Sequence, residues 1–145
     1  MLLPTRFVKG MYCMKDLSEA RSLLNVAHRD LRALSGMVDS NFFADEIFGF
    51  HAQQAAEKSL KAWISALDEM FPFTHDLAAL LRIIEGKGYD ISEFLEITKF
   101  NDFAGRFRYV ESDDEIEPLE RKASINMVQM LYQHVDNFIT RQTSL

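Results

Sequence analysis

Residues 50–64, FHAQQAAEKSLKAWI, decide how this chain folds. They are rich in helix formers and contain neither glycine nor proline, so they predict an uninterrupted helix. At 100° per residue, Phe48, Ala52, Ala56, Ser59, Leu60, Trp63 and Leu67 share one side. Phe50, Gln54, Glu57 and Lys61 fall opposite them, with His51, Lys58 and Ser65 between. Small residues at 52, 55, 56 and 59 let another helix come close. The helix is expected over about 42–68, at the centre of the chain.

Four further helices follow by working outward. Leu17, Ala20, Leu24, Ala27, Leu31, Leu34 and Val38 recur at alternating spacings of 3 and 4, which predicts a helix over 16–38 packed along its whole length. Asp16 and Glu19 suit a capping box at its start, and Arg21, Arg29, Asp30 and Arg32 lie on solvated flanks. Asp39, Ser40 and Asn41 offer N-caps for the central helix and make the first pair an antiparallel hairpin. Thr74 is the expected cap of a short helix over 75–85 that turns Leu77, Leu80, Leu81 and Ile84 inward and stops at Gly86 and Gly88. Asp90 and Glu93 suit a capping box for a helix over 91–103, with Phe94, Leu95, Ile97, Phe100 and Phe103 inward. Pro118 suits the first turn of a last helix, 118–141, burying Leu119, Ala123, Met127, Met130, Leu131, Val135 and Phe138. No strand pattern competes. The fold class is all-α, an up-and-down bundle of four to five helices over 16–142, preceded by an N-terminal extension, 1–15.

Composition narrows the function. At 145 residues and 48% hydrophobic, the chain can bury its own core as one domain. Residues 111–120 hold six of the 22 acids and no base, which leaves 16 acids against 16 bases elsewhere. No basic block provides a broad nucleic-acid footprint. Cys13 is the only cysteine, and the four histidines are isolated, so neither a disulfide nor a zinc site is expected, and no cofactor. The N-terminus lacks the apolar run of a signal peptide and no stretch is long enough to span a bilayer, which points to the cytoplasm.

Three motifs together resemble the HEPN domain family, an all-α fold of prokaryotic toxin–antitoxin and nucleotidyltransferase-associated proteins. The first is FHAQQAAEKSLKAWI itself; the second is THDLAALL, residues 74–81; the third is RFRY, residues 106–109. The resemblance covers about Asp16 to Thr140 and implies a four- or five-helix bundle, usually paired as a homodimer. One branch of the family contains ribonucleases marked by an arginine, four to six residues, then a histidine. The other lacks that motif, accompanies minimal nucleotidyltransferases and is thought to bind a nucleotide or substrate.

This chain departs from the ribonuclease motif. Arg106 is followed after four residues by Glu111 in place of histidine. Arg21 and His28 have the spacing, but flank the packed seam of the first helix. A histidine serves as acid or base near neutral pH, whereas Glu111 would need a raised pKa to donate a proton. The expected function is therefore a non-catalytic module that binds a nucleotide or pairs with a minimal nucleotidyltransferase. A metal-independent ribonuclease toxin and a purely structural dimerisation domain are the alternatives. The expected ligand face comprises Gln54, Lys58 and Lys61 with Arg106, Arg108 and Tyr109, whose guanidiniums and phenol can hold phosphate and stack on a base. Gln53, Glu57, His75 and Asp76 are motif positions with structural roles: Asp76 suits the helix dipole and His75 the preceding loop. Glu57 and Lys61 form an i, i+4 pair suited to a solvated or dimer-facing surface. His134 is expected at the edge of the core.

Overall fold

The computed structural model describes residues 16–104 and 119–143. These form helices α1 (Ser18–Ser35), α2 (Asp45–Ala66) and α3 (Leu77–Gly86), a 3₁₀ helix (Ser92–Phe103) and α4 (Arg121–Thr143), with no strand among the described residues. Helix α2 packs against every other element, and α1 and α4 also pack against each other.

The α1 seam folds as its spacing predicts. Leu17, Ala20, Leu24, Ala27, Leu31 and Leu34 are all buried, whereas Val38 lies beyond the helix and is exposed. The expected capping box does not form. Asp16 accepts from the Ser18 N–H and hydroxyl, and Glu19 accepts instead from the Ser65 hydroxyl on α2 at 2.9 Å. Two flank residues also reach across the bundle. Arg21 pairs with Asp136 of α4, and Asp30 lies 2.8 Å from His51 of α2.

Helix α2 starts three residues later than expected. Asp39 accepts from the Asn41 N–H, and its carbonyl from Phe42 and Phe43, which closes a separate turn before the helix. The N-cap is Ala44, with no side-chain cap. From Phe48 onward the helix is buried almost all round, including Gln53, Glu57, Ser59, Lys61 and Ser65. Burial on every side calls for partners inside the protein, which Glu57 and Lys61 find in each other and Ser65 finds in Glu19, whereas the Ser59 hydroxyl has none among the described residues.

Helix α3 starts at Leu77 rather than residue 75, because Asp76 is its cap and accepts from the Ala78 N–H at 3.0 Å. Thr74 accepts from the Asp76 N–H one step earlier. Asn101 fixes this start from the 3₁₀ helix, accepting from the Leu77 N–H and donating to Asp76.

The 3₁₀ helix follows from its apolar period. Ile91, Phe94, Ile97, Phe100 and Phe103 recur every third residue and all are buried. Three residues per turn place them on one line, which a 3.6-residue turn would not. Leu95, expected inward, is 51% exposed for the same reason.

Helix α4 is rotated relative to expectation. Its inward line is Arg121, Ser124, Val128, Leu131, Val135 and Ile139. Ala123 and Met130 point outward, and Leu119, Met127 and Phe138 are half-buried. The rotation places a buried arginine where an apolar side chain was expected.

Candidate functional site

The polar residues of α2 converge on one carboxylate. Glu57 is fully buried. Its Oε1 accepts from Gln53 Nε2 at 2.9 Å and lies 2.7 Å from His75 Nδ1. Its Oε2 accepts from Lys58 Nζ at 3.1 Å and Lys61 Nζ at 3.0 Å. The helix itself sets most of this geometry, since residues 53, 57 and 61 are successive i, i+4 neighbours. His75 comes from the connection before α3, and Gln53 holds the same connection by donating to the His75 carbonyl at 3.1 Å. Gln54 donates to the Gln53 amide oxygen at 2.7 Å, so the chain of hydrogen bonds runs from the rim to the core.

The electrostatics favour an ionised centre. Burial pushes the Glu57 carboxyl up, but the hydrogen bonds from Gln53, His75, Lys61 and Lys58 together outweigh it and lower its pKa from 4.5 to about 2. Lys61 is buried beside it, with its ammonium also 5.5 Å from the centre of the Phe71 ring. The Glu57–Lys61 pair is thus an interior contact, contrary to the solvated or dimer-facing surface expected for it. Lys58 and His75 form the outer edge, with side chains 25% and 62% exposed. Gln54 is half-buried at the same edge.

The sequence-predicted residues therefore divide. Gln53, Gln54, Glu57, Lys58, Lys61 and His75 come together in one network, joined to Asp76 only through the chain and its helix cap. Lys61 is turned inward and occupied by Glu57. Arg106, Arg108, Tyr109 and Glu111 lie outside the described residues.

The histidines are engaged separately. His28 stacks on Tyr132 with ring centres 5.2 Å apart, while Arg21 donates to Asp136 and Thr140. This arginine and histidine thus serve the α1–α4 contact. His134 packs against Trp63 and Phe94 at 4.8 and 5.2 Å, where desolvation lowers its pKa below the ordinary 6.5. No group of three or more metal-ligating side chains occurs among the described residues.

Sequence reading missed a second polar centre. Arg121 is 6% exposed and donates to the Met37 carbonyl at 2.7 Å, the Phe43 carbonyl at 2.6 Å and Asp45 at 2.7 Å. Its guanidinium also lies 5.0 Å from the centre of the Phe48 ring. One turn away, Gly49 leaves room for Phe103, since a Cβ on Gly49 would stand 2.3 Å from that ring. Phe103 and Arg121 flank residues 105–118, so both flanks of that segment are held at the first turns of α2. The period 121, 124, 128, 131, 135, 139 was the available signal for Arg121, obscured because its first two members are polar.

Comparison with known proteins gives one finding. The family model described as HEPN domain matches residues 20–140. No curated protein and no solved structure matches the chain.

Proposed function

The chain belongs to the HEPN domain family, and from that premise we propose that it is a non-catalytic module binding a nucleotide along the α2 edge. One observation carries this reading. Glu57 supplies one negative charge against the two ammoniums of Lys58 and Lys61, before any charge on His75 is counted. Lys61 is buried, so the excess positive charge is presented through Lys58 beside Gln54. A phosphate can take the remaining hydrogens of that ammonium, and the amide of Gln54 suits a base or sugar edge. Asp76, next to His75 in sequence, is engaged by the α3 N-terminus and Asn101.

Arg106, Arg108 and Tyr109 complete the proposed ligand face. The absence of a histidine after Arg106, together with the structural engagement of His28, His51, His75 and His134, supports binding without RNA cleavage. A homodimer and a minimal nucleotidyltransferase partner belong to the same proposal.

Calorimetry with ATP, GTP and a short RNA tests it. The expected result is binding of at least one ligand, weakened by Lys58→Ala and by Arg106→Ala with Arg108→Ala. Unchanged binding in both variants removes this face from the site. RNA cleavage in EDTA that depends on Arg106 and Glu111 would replace the reading with a ribonuclease.

A further inference from the structure

His75 is held at two points and open at a third. Gln53 donates to its carbonyl at 3.1 Å, and its Nδ1 lies 2.7 Å from Glu57 Oε1. An ionised carboxylate only accepts, so Nδ1 carries the hydrogen and the ring is fixed in one tautomer when neutral. Nε2, on the far side of the ring, has no partner among the described residues, and the side chain is 62% exposed. This exposed ring is therefore oriented before any ligand arrives, which removes part of the ordering cost of binding.

The ring and the Lys58 ammonium stand on opposite oxygens of one carboxylate, His75 on Oε1 and Lys58 on Oε2 at 3.1 Å. Both reach the surface, whereas Lys61 is buried. The charged groups beside the ring from α2 are Glu57, Lys58 and Lys61. From α3 the neighbouring charge is Asp76, which caps that helix at the positive end of its dipole. The 3₁₀ helix meets this corner through Asn101, which is neutral. With Nε2 protonated, the network sets three cations against Glu57, an excess of two positive charges. A terminal phosphate monoester carries roughly 1.5–2 negative charges near neutral pH, whereas each diester of a nucleic-acid backbone carries about one.

We infer that His75 is a ligand-binding residue of the α2 edge: its protonated Nε2 donates to the terminal phosphate of a nucleotide that Lys58 also holds, which selects a phosphate monoester over a phosphodiester. The inference rests on the nucleotide-binding reading and adds to it the ligand's terminal group and a dependence on pH. A histidine gains charge as pH falls from about 8 to about 6, so the contribution of Nε2 to affinity grows over that interval. The engagement of Nδ1 by Glu57 is what aims Nε2 outward, so one residue serves both the buried network and the ligand.

Calorimetry with the full chain tests the inference, using ATP and GTP, each beside its γ-methyl ester, in which the terminal phosphate is a diester. The variant is His75→Asn, which keeps an amide nitrogen near the place of Nδ1 for Glu57 and removes Nε2. The ratio of wild-type to variant affinity for ATP or GTP should rise on the order of tenfold between about pH 8 and about pH 6. Titration of the phosphate itself is common to both proteins and cancels in that ratio. The γ-methyl esters should bind wild type about tenfold more weakly at the lower pH and lose little more in the variant. Chemical denaturation checks that the variant remains folded. Nitrogen NMR of the wild-type imidazole reads the same contact without a substitution, and Nε2 should carry a proton in the nucleotide complex at about pH 7. Nucleotide binding with a constant affinity ratio, equal binding of the methyl esters, or an unprotonated Nε2 in the complex would overturn the inference and leave the nucleotide reading standing. No binding of ATP or GTP to wild type would overturn both.

Discussion

Glu57 and Arg121 are two buried charges solved in different ways. Among the described residues, Glu57 is surrounded by side chains of its own helix and by His75 from the connection before α3. Arg121 meets two backbone carbonyls and one carboxylate, all distant in sequence. The first arrangement is a local charge network that locks a connection onto α2. The second is a long-range clamp that ties the last helix to the α1–α2 link. Local networks leave a sequence motif. A clamp onto carbonyls leaves none, because any residue supplies a carbonyl.

The largest effect is expected at Glu57. Glu57→Ala strands Lys61 in the interior and frees the His75 connection, with an expected loss of about 3–5 kcal/mol in chemical denaturation. Arg121→Ala leaves two carbonyls and Asp45 without their donor, and should cost about 3 kcal/mol by the same measurement. Here the variants separate. Loss of Glu57 should expose the 74–76 connection to hydrogen exchange, whereas loss of Arg121 should expose residues 37–45.

A smaller effect is expected between the two centres. Gly49→Ala drives a methyl group into the Phe103 ring and should destabilise by about 1–3 kcal/mol. Adding Phe103→Leu should recover part of that loss in the same denaturation series, since it removes the colliding ring. The smallest effect is at the rim. Lys58→Ala should change stability by no more than about 1 kcal/mol, because a partly exposed ion pair contributes little and Lys61 still serves Glu57.

Acid tests the Glu57 network without mutation. Glu57 has a folded-state pKa lowered from 4.5 to about 2, so its contribution is present above the ordinary value and is lost as pH falls through that interval. That contribution is on the order of 3 kcal/mol. Unfolding free energy measured in wild type and in Glu57→Gln should therefore converge as pH falls from 4.5 toward 2.

The helical framework was legible because apolar spacing is set by backbone geometry. Six residues of the α1 seam and the four inward residues of α3 emerge directly from their periods. Other features depended on partners far away in sequence. Arg121 lies on an inward line but is polar, so apolar counting shifted the α4 face onto Ala123 and Met130. The motif residues of α2 were visible as a group, yet their burial was not. Whether Glu57 and Lys61 face water depends on the position of the 71–75 connection, which helical phase alone does not determine. A strict three-residue period over 91–103 carried the signal for a 3₁₀ helix, and it would have excluded Leu95 from the core.

The most direct test of the account is the titration of the Glu57 side-chain carboxyl carbon by NMR. A carboxylate held by Gln53, His75, Lys61 and Lys58 in the interior should show a midpoint near 2. A midpoint near the ordinary 4.5 would mean that Glu57 is solvated, and would contradict the buried network on which the α2 edge is built.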